Sequence, residues 1–127
     1  ISSFVGNKIK KVGVVANIDI LELEKIIKNV KLDYVQLHGN ETPQFLQKIK
    51  KTLKIKIIKA LKISNEKDIK KIQSFKKYAD YILLDTKIIK KNNLNLKKKS
   101  QRLNWDLLKK IKKKNFLFYR ERLIMKI

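Results

Sequence analysis

Residues 33–45, DYVQLHGNETPQF, bring several chemically capable side chains close together. His38 is the only histidine of the 127-residue chain, and Gln36 stands two residues before it. Residues two apart in a β-strand point to the same face, so we expect these side chains to be neighbours. An imidazole can donate, accept or transfer a proton near neutral pH. His38 therefore has two interpretations: a hydrogen-bonding group of a functional site, or a histidine satisfied by a loop carbonyl.

A second candidate is Asp85, which follows the apolar run Tyr81–Leu84. A carboxyl at the end of a predicted strand can take part in acid–base chemistry. The alternative is structural, because Asp85 could merely cap the turn that follows the strand. Without further information, the pattern favours the structural interpretation.

Composition excludes several other chemistries. The chain has no cysteine, which rules out a disulfide framework, a thiolate nucleophile and a cysteine-based metal site within it. A single histidine likewise argues against a His-rich metal site, so we expect no metal. The stretch GNKIKK, residues 6–11, lacks the second glycine and the Lys-Ser/Thr step of a phosphate-binding loop.

The net charge of +22 suggests nucleic-acid binding at first sight. Lysine supplies all but three of the 33 basic residues, whereas arginine is the residue suited to bidentate phosphate and base recognition. We interpret the lysines mainly as solvated helix faces. The alternative is a small lysine-rich nucleic-acid-binding module that uses Lys97–Lys99 and Lys112–Lys114, although aromatic side chains are not interleaved with these clusters.

The elements that must position these side chains alternate along the chain. Helical spacing separates short apolar runs, which predicts an α/β fold with a parallel sheet in one domain. We predict a first helix from Asp19 that buries Leu23, Ile26, Ile27 and Val30, and further helices starting at Thr42, around Ser64 and Asn65, and at Asn104. No apolar run approaches the roughly 20 residues that span a bilayer, so we expect a soluble protein. The predicted strands are Val12–Ala16, Tyr34–Leu37, Ile55–Leu61, Tyr81–Leu84 and Phe116–Tyr119.

Several motifs resemble one enzyme family in order and spacing. VQLHG, residues 35–39, is followed some 45 residues later by LLDT, residues 83–86, and this pair is specific. With KVGVVAN (11–17), IKAL (58–61) and LNWDLL (103–108), the chain resembles the central part of phosphoribosylanthranilate isomerase. The resemblance implies a (β/α)8 TIM barrel, here a partial barrel of about five βα units. Strands three to seven of that barrel would occupy residues 1–119, and residues 120–127 would form a divergent tail.

The resemblance also implies a reaction and roles for the candidate residues. The family rearranges N-(5-phosphoribosyl)anthranilate to an open-chain ribulose phosphate product in tryptophan biosynthesis, without a cofactor. Asp85 matches its general acid. Gln36, His38 and Gly39 match the substrate-lining strand end, and Asn17 ends its own strand at the same rim. Lys59, inside an apolar strand, could face the barrel interior near the substrate, and a chance placement is as plausible. We expect a cytoplasmic location.

The chain departs from the family pattern in several places. The general base of the family is a cysteine on the first strand and an arginine on the second binds the anthranilate carboxylate, but the chain begins with Ile1 after that region. Lys97–Ser100 replace a glycine-rich loop, and YRERLIMKI (119–127) replaces the Gly-Gly turn that binds the substrate phosphate. We therefore expect a fragment that is inactive alone. Its two free strand edges, with Val15 among the residues on the side that would fill the barrel interior, predict either self-association or a loosely packed monomer.

Overall fold

The computed structural model describes residues 9–63, 65–86, 116–119 and 122–126. Strands β1 (Val12–Val15), β2 (Tyr34–Leu37), β3 (Lys56–Ile63) and β4 (Tyr81–Thr86) alternate with helices α1 (Ile20–Val30), α2 (Pro43–Thr52) and α3 (Glu66–Lys76). Two further strands, β5 (Phe116–Tyr119) and β6 (Arg122–Lys126), complete the described elements. The predicted alternation of strands and helices is confirmed over the first four strands.

The three helices begin at residues whose side chains satisfy free backbone amides. Asp19 accepts a hydrogen bond from the amide of Leu21, and Thr42 accepts one from the amide of Phe45 with Pro43 in the first turn. Asn65 forms a reciprocal capping box with Asp68 at the start of α3. Because these caps are local in sequence, the helix starts were predictable from residue type alone.

The first four strands lie in the order β1-β2-β3-β4 and are all parallel. Leu37 of β2 and Ile57 of β3 are fully buried, and they belong to one core with Leu46 of α2 and Ile72 of α3. The parallel strands therefore all end at one edge of the sheet, and the helices cover one face of it. The candidate residues Gln36, His38 and Asp85 lie at or beside that C-terminal edge.

The end of the chain departs from the expected parallel arrangement. β6, inside the segment predicted as a divergent tail, pairs antiparallel with β4, and β5 pairs antiparallel with β6 at the edge of the sheet. β5 therefore forms at the predicted residues but is separated from β4 by β6. A chain that reverses over so few residues can form only an antiparallel hairpin, whereas a parallel neighbour needs a long crossover. The predicted fourth helix and the Lys97–Lys99 loop lie outside the described residues.

Two apolar side chains lie elsewhere than predicted. Val30, at the end of α1, is 40% exposed rather than buried. Val15 was expected to face the barrel interior, but it packs against the core shared with the helices. The alternating neighbour Val14 lies on the opposite face and is 62% exposed. Within the part of the chain that the structure describes, we find no helix of the length and apolarity needed to cross a membrane.

Candidate active site

His38 and Asp85 meet at the C-terminal edge of the sheet, although β2 and β4 are not neighbouring strands. The Nε2 atom of His38, directly after β2, lies 3.5 Å from Oδ2 of Asp85 in β4. The two side chains are 26% and 28% exposed, so they contact each other while remaining accessible to a small molecule. The sequence predicted that both residues lie at this edge, and the structure brings them into contact.

The strand between them explains how they reach each other. Ala60 of β3 pairs with Leu83 of β4, and the preceding residue Lys59 pairs with Leu37 of β2. Ala60 therefore lies directly across from His38, and Lys62, two residues later on the same face of β3, pairs with Asp85. The small methyl group of Ala60 leaves space beside it for the imidazole to approach the carboxylate.

Gln36 lies beside His38, as the two-residue spacing predicts. The side-chain nitrogen Nε2 of Gln36 lies 3.4 Å from Nδ1 of His38. An amide NH₂ can only donate, so this contact is a hydrogen bond when the neutral imidazole carries its proton on Nε2, the ring atom that faces Asp85. Gln36, His38 and Asp85 thus form one polar chain on the face of the sheet opposite the three described helices, which these helices leave uncovered.

Lys59 does not face the same side as these residues. Its Nζ lies 2.8 Å from Oε2 of Glu41 and 5.6 Å from the centre of the Phe75 ring of α3, on the helix side of the sheet. The prediction that it faces the barrel interior is therefore wrong in orientation. Lys59 shares one face of β3 with residues 57, 61 and 63, and these three residues are apolar and buried.

Glu41 is the residue that the sequence analysis missed. Its carboxylate accepts hydrogen bonds from the backbone amides of Asn17 at 2.8 Å and Gly39 at 3.0 Å, as well as from Lys59. Burial by itself would raise the pKa of Glu41, but the hydrogen bonds from the Lys59 ammonium and the Asn17 amide outweigh it and lower that pKa. A lysine inside an apolar strand was the available signal, because a buried ammonium requires an anionic partner.

Asn17 and Gly39 bring two loops together beside His38. Asn17 adopts a left-handed backbone conformation with φ 53°, and its Oδ1 accepts a hydrogen bond of 2.8 Å from the amide of Asn40. A Cβ added to Gly39 would lie 2.4 Å from Oδ1 of Asn17 and 2.7 Å from Oε1 of Glu41. Only glycine fits at this contact without displacing the neighbouring loop. The structure thus places Asn17 in a loop contact at the predicted rim.

No group of three or more histidine, cysteine, aspartate or glutamate side chains is arranged to hold a metal ion within residues 9–63, 65–86 and the two later strands. Among the described residues, Gln36, His38 and Asp85 bring an amide, an imidazole and a carboxylate together at this edge. These groups can bind a polar molecule, donate a proton and orient a hydroxyl or an ether oxygen.

Comparisons with known proteins point to one family. The sequence profile of the family described as "N-(5'phosphoribosyl)anthranilate (PRA) isomerase" matches residues 3–125. The chain is 37% identical to the N-(5'-phosphoribosyl)anthranilate isomerase of Petrotoga mobilis over 101 residues, which are 80% of this chain and 45% of the relative. It is 35% identical to the Staphylococcus aureus enzyme over 113 residues, covering 88% of this chain and 51% of the relative. The chain thus spans about half the length of these curated relatives.

Solved structures agree with the sequence relatives. A monomeric form of the dimeric phosphoribosylanthranilate isomerase from Thermotoga maritima matches with a TM-score of 0.63 and 27% identity, over 84% of this chain and 46% of that one. A phosphoribosylanthranilate isomerase in complex with reduced 1-(o-carboxyphenylamino)-1-deoxyribulose 5-phosphate matches with a TM-score of 0.61 and 33% identity, over 68% of this chain and 43% of that one. The profile match over nearly the whole sequence and the shared fold show that this chain belongs to the N-(5'-phosphoribosyl)anthranilate isomerase family.

Proposed function

We propose that this chain supplies the general-acid part of a phosphoribosylanthranilate isomerase active site. The observation that carries the proposal is the contact of 3.5 Å between His38 and Asp85 at the C-terminal edge of the parallel sheet. It places a carboxyl, the group that matches the acid of the family, in an accessible position next to an imidazole. The similar structure that holds a reduced deoxyribulose 5-phosphate compound supports a phosphorylated, open-chain sugar as the product.

Asp85 acts on the ribose ring of the substrate. Its protonated carboxyl donates the proton to the ring oxygen while the bond from that oxygen to C1 breaks, and the nitrogen lone pair forms the Schiff base. A base then removes the C2 proton, and the resulting enolamine tautomerises to the ketose product. The Nε2 atom of His38 faces Oδ2 of Asp85, which leaves Oδ1 for the substrate.

Under the roles that the resemblance implies, the general base of the reaction is not one of these 127 residues. The family uses a cysteine, and this chain contains none. We therefore propose that a segment equivalent to the first strands of the barrel must supply the base before the reaction can occur. The 127-residue chain alone is expected to show no turnover above background.

The remaining candidate residues divide into two groups. We assign Gln36 and His38 to the substrate side, because both lie on the uncovered face of the sheet. We assign Gly39, Asn17 and Lys59 to shaping the loops, because each of them forms a hydrogen bond with Glu41. A direct contact of Lys59 with substrate is not part of the proposal, since its ammonium lies on the helix side.

Other expectations stay predictions. A cytoplasmic location and the absence of a specific nucleic-acid partner follow from the proposed enzyme role, and none of the comparisons supports the lysine-rich nucleic-acid-binding alternative. Among the described strands, β1 and β5 form the two edges of the sheet. Self-association through these edges should increase with salt, because added ions screen repulsion between copies with a net charge of +22. Sedimentation at two salt concentrations measures it.

The proposed function is tested with a chimera. Residues 9–86 of this chain replace the corresponding segment of the Petrotoga mobilis relative, which then supplies the missing strands. We expect the chimera to convert N-(5'-phosphoribosyl)anthranilate, and we expect His38→Ala to raise KM more than it lowers kcat, because His38 orients substrate. The parent relative is the control for the assay. A folded chimera without activity would contradict the proposal.

A further inference from the structure

A buried ion pair lies next to His38, on the other face of the sheet. The Nζ atom of Lys59 and Oε2 of Glu41 are 2.8 Å apart, and their side chains are 1% and 2% exposed. Removing two charges from water costs about as much free energy as their attraction returns, so such a pair is poor evidence for stability. Its presence in an otherwise apolar core therefore needs an explanation beyond stability.

The pair binds the peptide groups on both sides of His38. Lys59 donates to the carbonyl oxygen of Leu37 at 3.3 Å, and Glu41 accepts from the amide of Gly39 at 3.0 Å. The first of these groups belongs to the peptide bond before His38, and the second belongs to the peptide bond after it. Both backbone dihedral angles of His38 are thereby restrained from the helix side of the sheet.

Two further hydrogen bonds tie the same segment to β1. The amide of His38 donates to the carbonyl oxygen of Val15 at 2.8 Å. The amide of Asn17, two residues after Val15, donates to Oε1 of Glu41 at 2.8 Å. The end of β2 is therefore held against both the end of β1 and the side chain of Lys59 in β3.

The hydrogen-bonding capacity of the ammonium is fully used. An ammonium group has three N–H donors, and Lys59 contacts three acceptors: the carbonyls of Leu37 and Gly39, and the carboxylate of Glu41. Glu41 in turn accepts from Asn17, Gly39 and Lys59. A satisfied buried network of this kind rigidifies its surroundings, because every alternative arrangement leaves a buried group unpaired.

We propose that Glu41 and Lys59 are positioning residues that hold the imidazole of His38 in register with Asp85. The inference rests on the proposed function for the meaning of that register, because His38 is proposed to orient the substrate beside Asp85. Neither residue touches the substrate. They act through the backbone of residues 37–39, which sets where the His38 ring points.

The test uses the ring of His38 as a reporter. Because it is the only histidine, its ¹⁵N signals are unique in the 127-residue chain. At a pH where the ring is neutral, we expect a strong bias to the Nε2–H tautomer and a nuclear Overhauser contact between the ring and the Ala60 methyl group. The double variant Glu41→Gln/Lys59→Met removes both charges at similar volume, and we expect it to lose the tautomer bias and the contact.

Two further variants keep the test decisive. Glu24→Gln/Lys28→Met is the matched control, because it neutralises a surface pair of 2.7 Å on α1 that lies away from His38. It should leave the ring signals unchanged. Glu41→Asp keeps the charge but withdraws the carboxylate by one methylene, so it should weaken the tautomer bias in a folded protein even if the double variant does not fold.

The outcomes separate this proposal from the proposed function. Ring signals that stay the same as in the unmodified chain, in folded Glu41→Asp or double-variant protein, would overturn the positioning role whether or not the enzyme is active. An inactive chimera would overturn the proposed function but leave the ring measurement valid. In an active chimera, the double variant should raise KM more than it lowers kcat, as His38→Ala does, because both changes disturb the group that orients the substrate.

Discussion

Two polar clusters flank the end of β2, and they differ in almost every physical respect. On the helix side, Glu41 and Lys59 are buried and each has at least three hydrogen-bond partners. On the uncovered side, His38 and Asp85 are about a quarter exposed and meet at 3.5 Å. The buried cluster has no capacity left for a substrate, whereas the exposed cluster does. Polar residues a few positions apart can therefore serve structure on one face of a sheet and chemistry on the other.

The largest expected difference between the clusters is in stability. Lys59→Met leaves the Glu41 carboxylate buried without its cation, and breaking a buried pair in this way costs about 3–5 kcal/mol of unfolding free energy. Asp85→Asn should cost less than about 1 kcal/mol, because its partner is a partly exposed imidazole. Urea unfolding of both variants measures the difference. Equal losses of unfolding free energy in the two variants would show that the two clusters contribute equally to stability.

Replacing two glycines by alanine tests how tightly the loops beside Glu41 are packed. Gly39→Ala would place its Cβ within 2.7 Å of the Asn17 backbone nitrogen, which cannot move without displacing the loop. Overpacking of this kind costs about 1–3 kcal/mol. Gly13→Ala is the control: its Cβ would lie 2.5 Å from Cδ1 of Leu32, the end of a flexible side chain that can rotate away. Thermal melts should show a larger decrease in melting temperature for Gly39→Ala than for Gly13→Ala. The reverse order would contradict the close contact between the two loops.

The smallest of these effects is the dependence of stability on pH. The pKa of Glu41 is lowered from its ordinary value of 4.5, so the unfolded chain takes up this proton at a higher pH than the folded protein does. The contribution of Glu41 is therefore complete above pH 4.5 and is lost as the pH falls through the lowered value. Melts across this range should show a shallower pH dependence in Glu41→Gln/Lys59→Met than in Glu24→Gln/Lys28→Met. Equal pH dependence of the melting temperature in both variants would show that other carboxylates cause it.

Local features of the fold were predictable from residue types. Strand β2 has the predicted bounds, Tyr34–Leu37, and Asp19 and Thr42 cap their helices as their side chains and positions indicate. These outcomes depend on interactions within a few residues. The family was also recognisable, because its motifs combine residue identity with spacing over a long stretch.

The faces of β1 and β3 and the end of the chain were not predictable in the same way. All residues of VGVV in β1 are apolar or glycine, so alternation cannot show whether Val14 or Val15 faces the core. The orientation of Lys59 depends on Glu41, 18 residues earlier in the chain, and this pairing follows only from how β2 and β3 align. β6 forms where the family pattern predicts no strand, because its backbone pairs with the open edge of β4.

The central claim is that Asp85 on the uncovered face performs the chemistry and is dispensable for the fold. The most direct test is kcat/KM of the chimera with and without Asp85→Asn, measured together with the melting temperature of each protein. General-acid catalysis typically contributes about 10²- to 10⁴-fold, so the account predicts a loss in that range with an unchanged melting temperature. A loss of less than about tenfold would contradict the assignment of Asp85 as the acid.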